Sequence, residues 1–328
     1  MAAHSEGYTT TAQGQASHAE GGGDVLYSGE LIDGAILSDW ESKGENAKFS
    51  MAYGRRSHSE GSNSLAYGSN SHAEGKATLS KGYHSHSEGQ LTIANGSSSH
   101  AEGRETEAQG DNSHAEGSFT LAEGVASHAE GKETEARGSF SHSEGYNTVA
   151  SGYASHTEGN NAQATGKCSH AEGFGTQATN ESSHAEGNQT FATGYYSHAE
   201  GSFAIADNYH THAEGVRTHA HGVASHTEGK SQSQYAGELT SEAVLNAWNS
   251  AEDSKKFSMA FGNYSHVEGS DCLALNANSH AEGQSTISSG YHSHSEGRFT
   301  RATGEASHTE GYNTLASGYV SHAEGNIT

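Results

Sequence analysis

The sequence predicts an all-β chain: a parallel β-roll, or solenoid, of 14-residue coils with two short strands per coil, assembled as a homotrimer and interrupted by two small α-containing insertions. Three observations predict the roll. His-x-Glu-Gly occurs twenty times, and its histidines step by 14 residues from His4 to His18, from His58 to His226 and from His266 to His322. The two departures from that step, His18 to His58 and His226 to His266, are both 40 residues long. The chain has 43 Gly and no Pro in 328 residues, as expected when nearly every backbone N–H joins a ladder between coils.

With the ladder His numbered as position 1, Glu stands at position 3 and Gly at position 4 in every copy. Ser is the usual residue at position 14. Thr, Ala and Gly recur at positions 7, 9 and 11, as in Thr134, Ala136 and Gly138. Each half of the coil is a five-residue pattern of period 2, which predicts a strand. Around His128 the two small faces are Ser127, Ala129, Gly131 and Thr134, Ala136, Gly138. They are expected to meet in a narrow interior. Asn180, Asn208 and Asn276 replace Gly at position 11, so that corner is expected to need a positive φ, which Gly and Asn tolerate best. Positions 8 and 10 drift freely, as Glu107 and Gln109 or Phe191 and Thr193 show, and read as a solvated face. Positions 1 and 3 never vary, so the His/Glu face reads as packed.

A roll of 14 residues per turn lined by Ala, Ser, Thr and Gly buries little apolar surface by itself. The missing burial is expected from parallel copies packed along the His/Glu face. At this point S-x-A-x-G-x-x-[ST]-x-A-x-G-x-x resembles the head repeat of YadA-like trimeric autotransporter adhesins, a motif similar to repeats in bacteriophage tail fibres. The resemblance covers about four-fifths of the chain. It implies a left-handed parallel β-roll and a homotrimer. The family usually carries aliphatic residues where this chain has His and Glu, as at His128 and Glu130.

The expected ladder along the trimer axis comprises His58 and Glu60, His72 and Glu74, His86 and Glu88, His100 and Glu102, His114 and Glu116, His128 and Glu130, His142 and Glu144, His156 and Glu158, His170 and Glu172, His184 and Glu186, and His198 and Glu200. Each His is expected to contact a Glu of a neighbouring chain, since either ladder alone would be expensive to bury. Charged His would have a raised pKa; neutral His donating to Glu would not.

The organisation in order is roll coils over 1–21, an inserted strand–helix element over 22–49, about thirteen roll coils over 50–229, a second insertion over 230–257, and roll coils over 258–328. The insertions are copies 208 residues apart: Tyr27 matches Tyr235, Trp40 matches Trp248, and Lys48-Phe-Ser-Met-Ala52 matches Lys256-Phe-Ser-Met-Ala260. Leu31, Ile32, Ala35, Ile36 and Trp40 fall on one helical face, as do Leu239, Ala243, Val244, Ala247 and Trp248. Each insertion reads as a short strand, a helix of about three turns and a return. Trp40, Trp248, Tyr27 and Tyr235 are its expected core, gripping the roll; an exposed ligand platform is the alternative.

Sixteen basic against forty acidic residues, a net charge of −24, argue against nucleic acid and anionic membranes as partners. Met1-Ala-Ala-His4 lacks a charged and an apolar segment, so no signal peptide is expected there. Cys168 and Cys272 lie several coils apart and are expected to be free thiols.

No enzymatic activity is expected. His-x-Glu opens a zinc deaminase signature whose Pro-Cys-x-x-Cys half is missing, and catalysis needs one unusual constellation where here every coil is alike. His84-Ser-His86, His210-Thr-His212 and His292-Ser-His294 are candidate sites for Fe, Ni or Zn on the trimer axis. His219-Ala-His221 falls on the variable face and is expected in solvent. The function predicted is a non-enzymatic structural or adhesive fibre, foremost the shaft of a phage or tailocin tail fibre. The alternatives are a bacterial cell-surface adhesin head binding host matrix and a metal-binding His-rich fibre. All three place the chain outside the cell, with further copies of itself and a glycan or protein receptor as partners.

Overall fold

The computed structural model describes residues 3–29, 34–44 and 47–328. The chain forms two compact units, Met1–Asn160 and Asn161–Thr328, each carrying one insertion. Within each unit the coils give a long strand that starts on the ladder His and, in all but the coil of His322, a short strand that ends at position 9. His128–Lys132 and Glu135–Ala136 are the pair in one coil. All pairings between coils are parallel and offset by one repeat, so like meets like: His114 faces His128, Ala115 faces Ala129 and Glu116 faces Glu130.

The short strand is two or three residues long rather than five. The reason lies in its hydrogen bonds. Glu135 N donates to Thr148 O (2.9 Å), but Arg137 N and Gly138 N both converge on Ala150 O, at 2.8 and 3.2 Å. Two donors on one carbonyl turn the chain before position 11.

The corners differ from the expectation at position 11, which does not use positive φ. Gly138 is there for space: a Cβ would stand 1.9 Å from Gly152 O. Positive φ falls instead on Gly at position 4, such as Gly131 at +113°, and on ordinary residues at positions 6 and 13, such as Glu133 at 57° and Phe140 at 61°. A left-handed L-residue costs about 1–2 kcal/mol. The ladder holds these residues in place, because Glu133 N donates to Ser118 O (2.9 Å) and Phe140 N to Val125 O (2.8 Å). A proline would lose both the donor and the allowed φ. At position 14, Ser127 Oγ donates to Gly124 O (2.7 Å) and closes the second corner.

The interior is a column of methyl groups. Ala94, Ala101, Ala108, Ala115, Ala122, Ala129 and Ala136 form one buried cluster in the first unit; Ala171, Ala178, Ala185, Ala192 and Ala199 belong to its counterpart in the second.

Both insertions leave the register untouched. His18 pairs with His58 and Thr10 with Ser50 across the first; His226 pairs with His266 and Thr218 with Ser258 across the second. Among the described residues neither insertion contains the expected short strand beyond Gly22 and Lys230, which end the preceding long strands. In the second, Tyr235 folds back so that its hydroxyl donates to Glu238 O (2.7 Å), and a Cβ on Gly237 would meet that hydroxyl at 2.6 Å. A side chain closing over its own turn replaces the strand. The helices are α1 (Ala35–Ser42) and α2 (Ser241–Ser250), the latter capped by Thr240 Oγ1 accepting from Ala243 N (3.3 Å). Leu31 and Ile32 lie outside the described residues.

Each helix lies on the outer face of its unit's short strands. Ile36 and Trp40 join Phe49, Met51, Leu65 and Leu79; Val244 and Trp248 join Phe257, Met259, Leu273 and Ile287. Ala247 packs against the second cluster, whereas Leu239 is exposed. Met51, Leu65, Leu79, Met259, Leu273 and Ile287 all occupy position 8, which the sequence reads as solvated. That reading fails under the helices, where position 8 is the floor of a second apolar core.

Candidate functional site

Position 1 turns outward on the long strand because positions 14 and 2 turn inward. The strand spacing then stacks the rings. His114 and His128 lie 4.8 Å apart with planes 1° from parallel, and the stack runs from His4 to His156 in the first unit. In the second it runs from His170 to His322, with His212 and His226 4.6 Å apart. The parallel Glu row lies beside it: His128 Nε2 is 4.0 Å from Glu130 Oε2, and His184 Nε2 is 3.8 Å from Glu186 Oε2. Those are ion-pair separations and too long for hydrogen bonds.

The rings are half-buried, yet the Nε2 atoms of His58, His72, His86, His100, His114, His128 and His142 are shielded from solvent without a hydrogen-bond partner. His184, His198, His212 and His226 repeat this in the second unit. Burial lowers the pKa of His72, His86, His100, His114, His128, His142, His184 and His212, and the neighbouring ring in the stack lowers it further. Nearby carboxylates, Glu130 for His128, pull the other way and lose. His226 and His280 are pushed down to about 4. The histidines so shifted favour the neutral form near pH 7.

Such a surface offers a row of imidazole nitrogens and carboxylate oxygens with open valences. In His58, Glu60 and His72, and in the sets that repeat them, one ligand atom from each residue lies within 4.8 Å of the others. The additional histidines of the H-x-H candidates stand elsewhere. His84, His210 and His292 are exposed, take φ of 56–57° at corner position 13 and precede the strands that hold His86, His212 and His294. His84 meets Tyr83 edge-on at 3.9 Å and His210 stacks on Tyr196 at 5.2 Å.

Trp40 and Trp248 are buried against the roll rather than offered to solvent. Trp40 Nε1 donates to Phe49 O (3.2 Å) and Trp248 Nε1 to Phe257 O (3.1 Å). Lys48 Nζ lies 3.4 Å from the Trp40 ring centre and Lys256 Nζ 3.8 Å from that of Trp248. Tyr27 packs on Phe49 and Tyr235 on Phe257, at 4.6 and 4.8 Å.

His219 contradicts its expected exposure. It is 5% exposed, with Nε2 2.9 Å from Asp207 Oδ2, while His221 Nδ1 is 2.9 Å from Asp207 Oδ1. The two imidazoles hold the Asp207 carboxyl well below the usual carboxylate range, against the opposing effect of its burial. Asp207 was missed in the sequence. The available signal was register: position 10 of one coil lies beside position 10 of the next.

Two units of repeated coils, each with an outward row of His and Glu, fit a repetitive structural or adhesive fibre segment. The family model of the YadA head domain repeat matches residues 46–75 and 143–167, and the chain carries YadA-like head repeats. No curated protein matches the sequence significantly. Among the described residues no helix is long and apolar enough to cross a membrane.

Proposed function

We propose that the protein is a non-enzymatic, homotrimeric fibre segment whose His/Glu rows pack against those of two further copies, and that it serves as the shaft of a phage or tailocin tail fibre outside the cell. The observation that supports this is the row of shielded, unpartnered Nε2 atoms beside half-exposed carboxylates. A buried polar atom without a partner costs about 1–3 kcal/mol. A glutamate from a neighbouring chain would supply an acceptor to each imidazole N–H, and every coil would repeat the contact. The variable face, with its drifting acidic and polar residues, is then left for solvent.

The family match supports a second reading, a bacterial-surface adhesin head that presents the same face to host matrix. Labelling the producing culture with an antibody against the chain separates the two. Gold on the distal fibres of phage-like particles is expected. Gold on the bacterial envelope would replace the tail-fibre reading, and label confined to the cytosol would overturn both.

A further inference from the structure

His219 and His221 occupy positions 8 and 10 of one coil, so both side chains leave the outer face of the strand Thr218–Ala220. Ile205 faces His219 and Ala206 faces Ala220, which sets Asp207 beside His221 on the preceding coil. The carboxylate spans the two rings, with one oxygen 2.9 Å from each nitrogen. The rings stand 5.9 Å apart at 75°. His219 closes the floor of this arrangement, its side chain 6% exposed, while Asp207 and His221 at 19% and 23% leave one side open. Phe261 covers the far face of His221 at 5.0 Å.

We propose that Asp207, His219 and His221 bind one divalent transition-metal ion of the zinc–nickel class. Two imidazole nitrogens and a carboxylate are the donors such ions select over magnesium or calcium. Donors each about 2.1 Å from a shared ion lie roughly 3 Å or a little more from one another, close to the 2.9 Å between each Asp207 oxygen and its ring nitrogen. Without an ion, two N–H groups grip the carboxylate, placing the protons on His219 Nε2 and His221 Nδ1. The Nδ1 lone pair of His219 is then buried and unpartnered. On binding, each imidazole proton moves to the ring's other nitrogen and the freed lone pair faces the ion; no bond to carbon changes and nothing is oxidised.

The repeat does not dictate this trio. No other coil has His at position 8 or 10. In the copy 208 residues earlier, Thr11 and Gln13 stand where His219 and His221 stand here. The site also lies at the root of the second insertion. His219 pairs with Met259, and His221 N donates to Ala260 O (2.9 Å), on the strand that resumes after α2. An ion there ties the strand on which the insertion's return is laid to the coil before it.

The test is a calorimetric zinc titration of the chelator-treated full-length chain at pH 7, repeated with cobalt and read by its visible absorption. The His/Glu rows provide a weaker background. The expected result is one zinc per chain bound at least about tenfold more tightly than the rest. That step should vanish in Asp207→Asn and in the double variant His219→Thr with His221→Gln, which installs residues the first copy already carries, and persist in His84→Gln. Circular dichroism verifies that each variant is folded. A tight step that survives in the folded variants overturns the proposal, as does a wild-type titration with no one-per-chain step.

Discussion

A ladder imidazole is squeezed between two others, and that fixes how stability should depend on pH. Burial and the neighbouring rings depress the folded pKa of His72, His86, His100, His114, His128 and His142. A depressed His contributes stability above its unfolded pKa, near roughly 6.5, and loses it as pH falls through the folded value. With His226 and His280 at about 4, the thermal midpoint should hold near pH 7–8 and fall steeply as pH drops from about 6.5 towards 4. A melting temperature that rises on acidification would show charged His paired with Glu. A second prediction concerns the interior. Thr148 Oγ1 pairs with Ser143 Oγ at 2.9 Å, whereas Thr134 Oγ1 is buried with no partner. Thr134→Val should be neutral or stabilising by up to about 1 kcal/mol, and Thr148→Val should cost about 1–3 kcal/mol. Equal effects in urea denaturation would refute the distinction. The sequence shows that positions 1 and 3 are constrained, through their invariance. It does not show which ring nitrogen is shielded, nor that positions 6 and 13 are left-handed. Those residues, among them Glu133, Phe140 and Arg217, have no side-chain preference for that conformation; the ladder between coils imposes it.

The coil and the bracket over it are the elements whose behaviour can be separated. Gly138→Ala puts a methyl on the next coil's carbonyl and should destabilise severely, while Glu135→Ala on the outer face should stay within about 0.5 kcal/mol. Comparable urea midpoints for the two would mean that the coils can move apart. Excising 22–49 and restoring a two-residue corner should preserve both sheets, since His18 already pairs with His58 and Thr10 with Ser50. It should also uncover Met51, Leu65 and Leu79. Strong binding of an apolar dye is therefore expected, and Leu65→Glu with Leu79→Glu should abolish it, because Glu107 and Glu135 occupy position 8 elsewhere. Loss of the β signal on excision would make the bracket part of the folding core. The period and the Trp residues disclosed the existence of coil and bracket. The site the bracket covers was hidden, because position 8 reads as random along the chain until α1 and α2 are laid over its apolar members.

At the scale of the whole molecule, net charge and burial pull in opposite directions. Forty acidic residues against sixteen basic ones repel, and the interior of each unit is mostly alanine. Backbone ladders satisfy the main chain but add little apolar burial. Besides His219 Nδ1 and interior hydroxyls such as that of Thr134, the unsatisfied side-chain atoms among the described residues are Nε2 atoms of the His row on one face. Two more chains packed there in the same register would give each shielded nitrogen an acceptor. Light-scattering mass of the purified full-length chain at neutral pH tests this most directly. A single species of three times the 34.1 kDa of one chain is the predicted result, and a monodisperse monomer that is fully folded would contradict it.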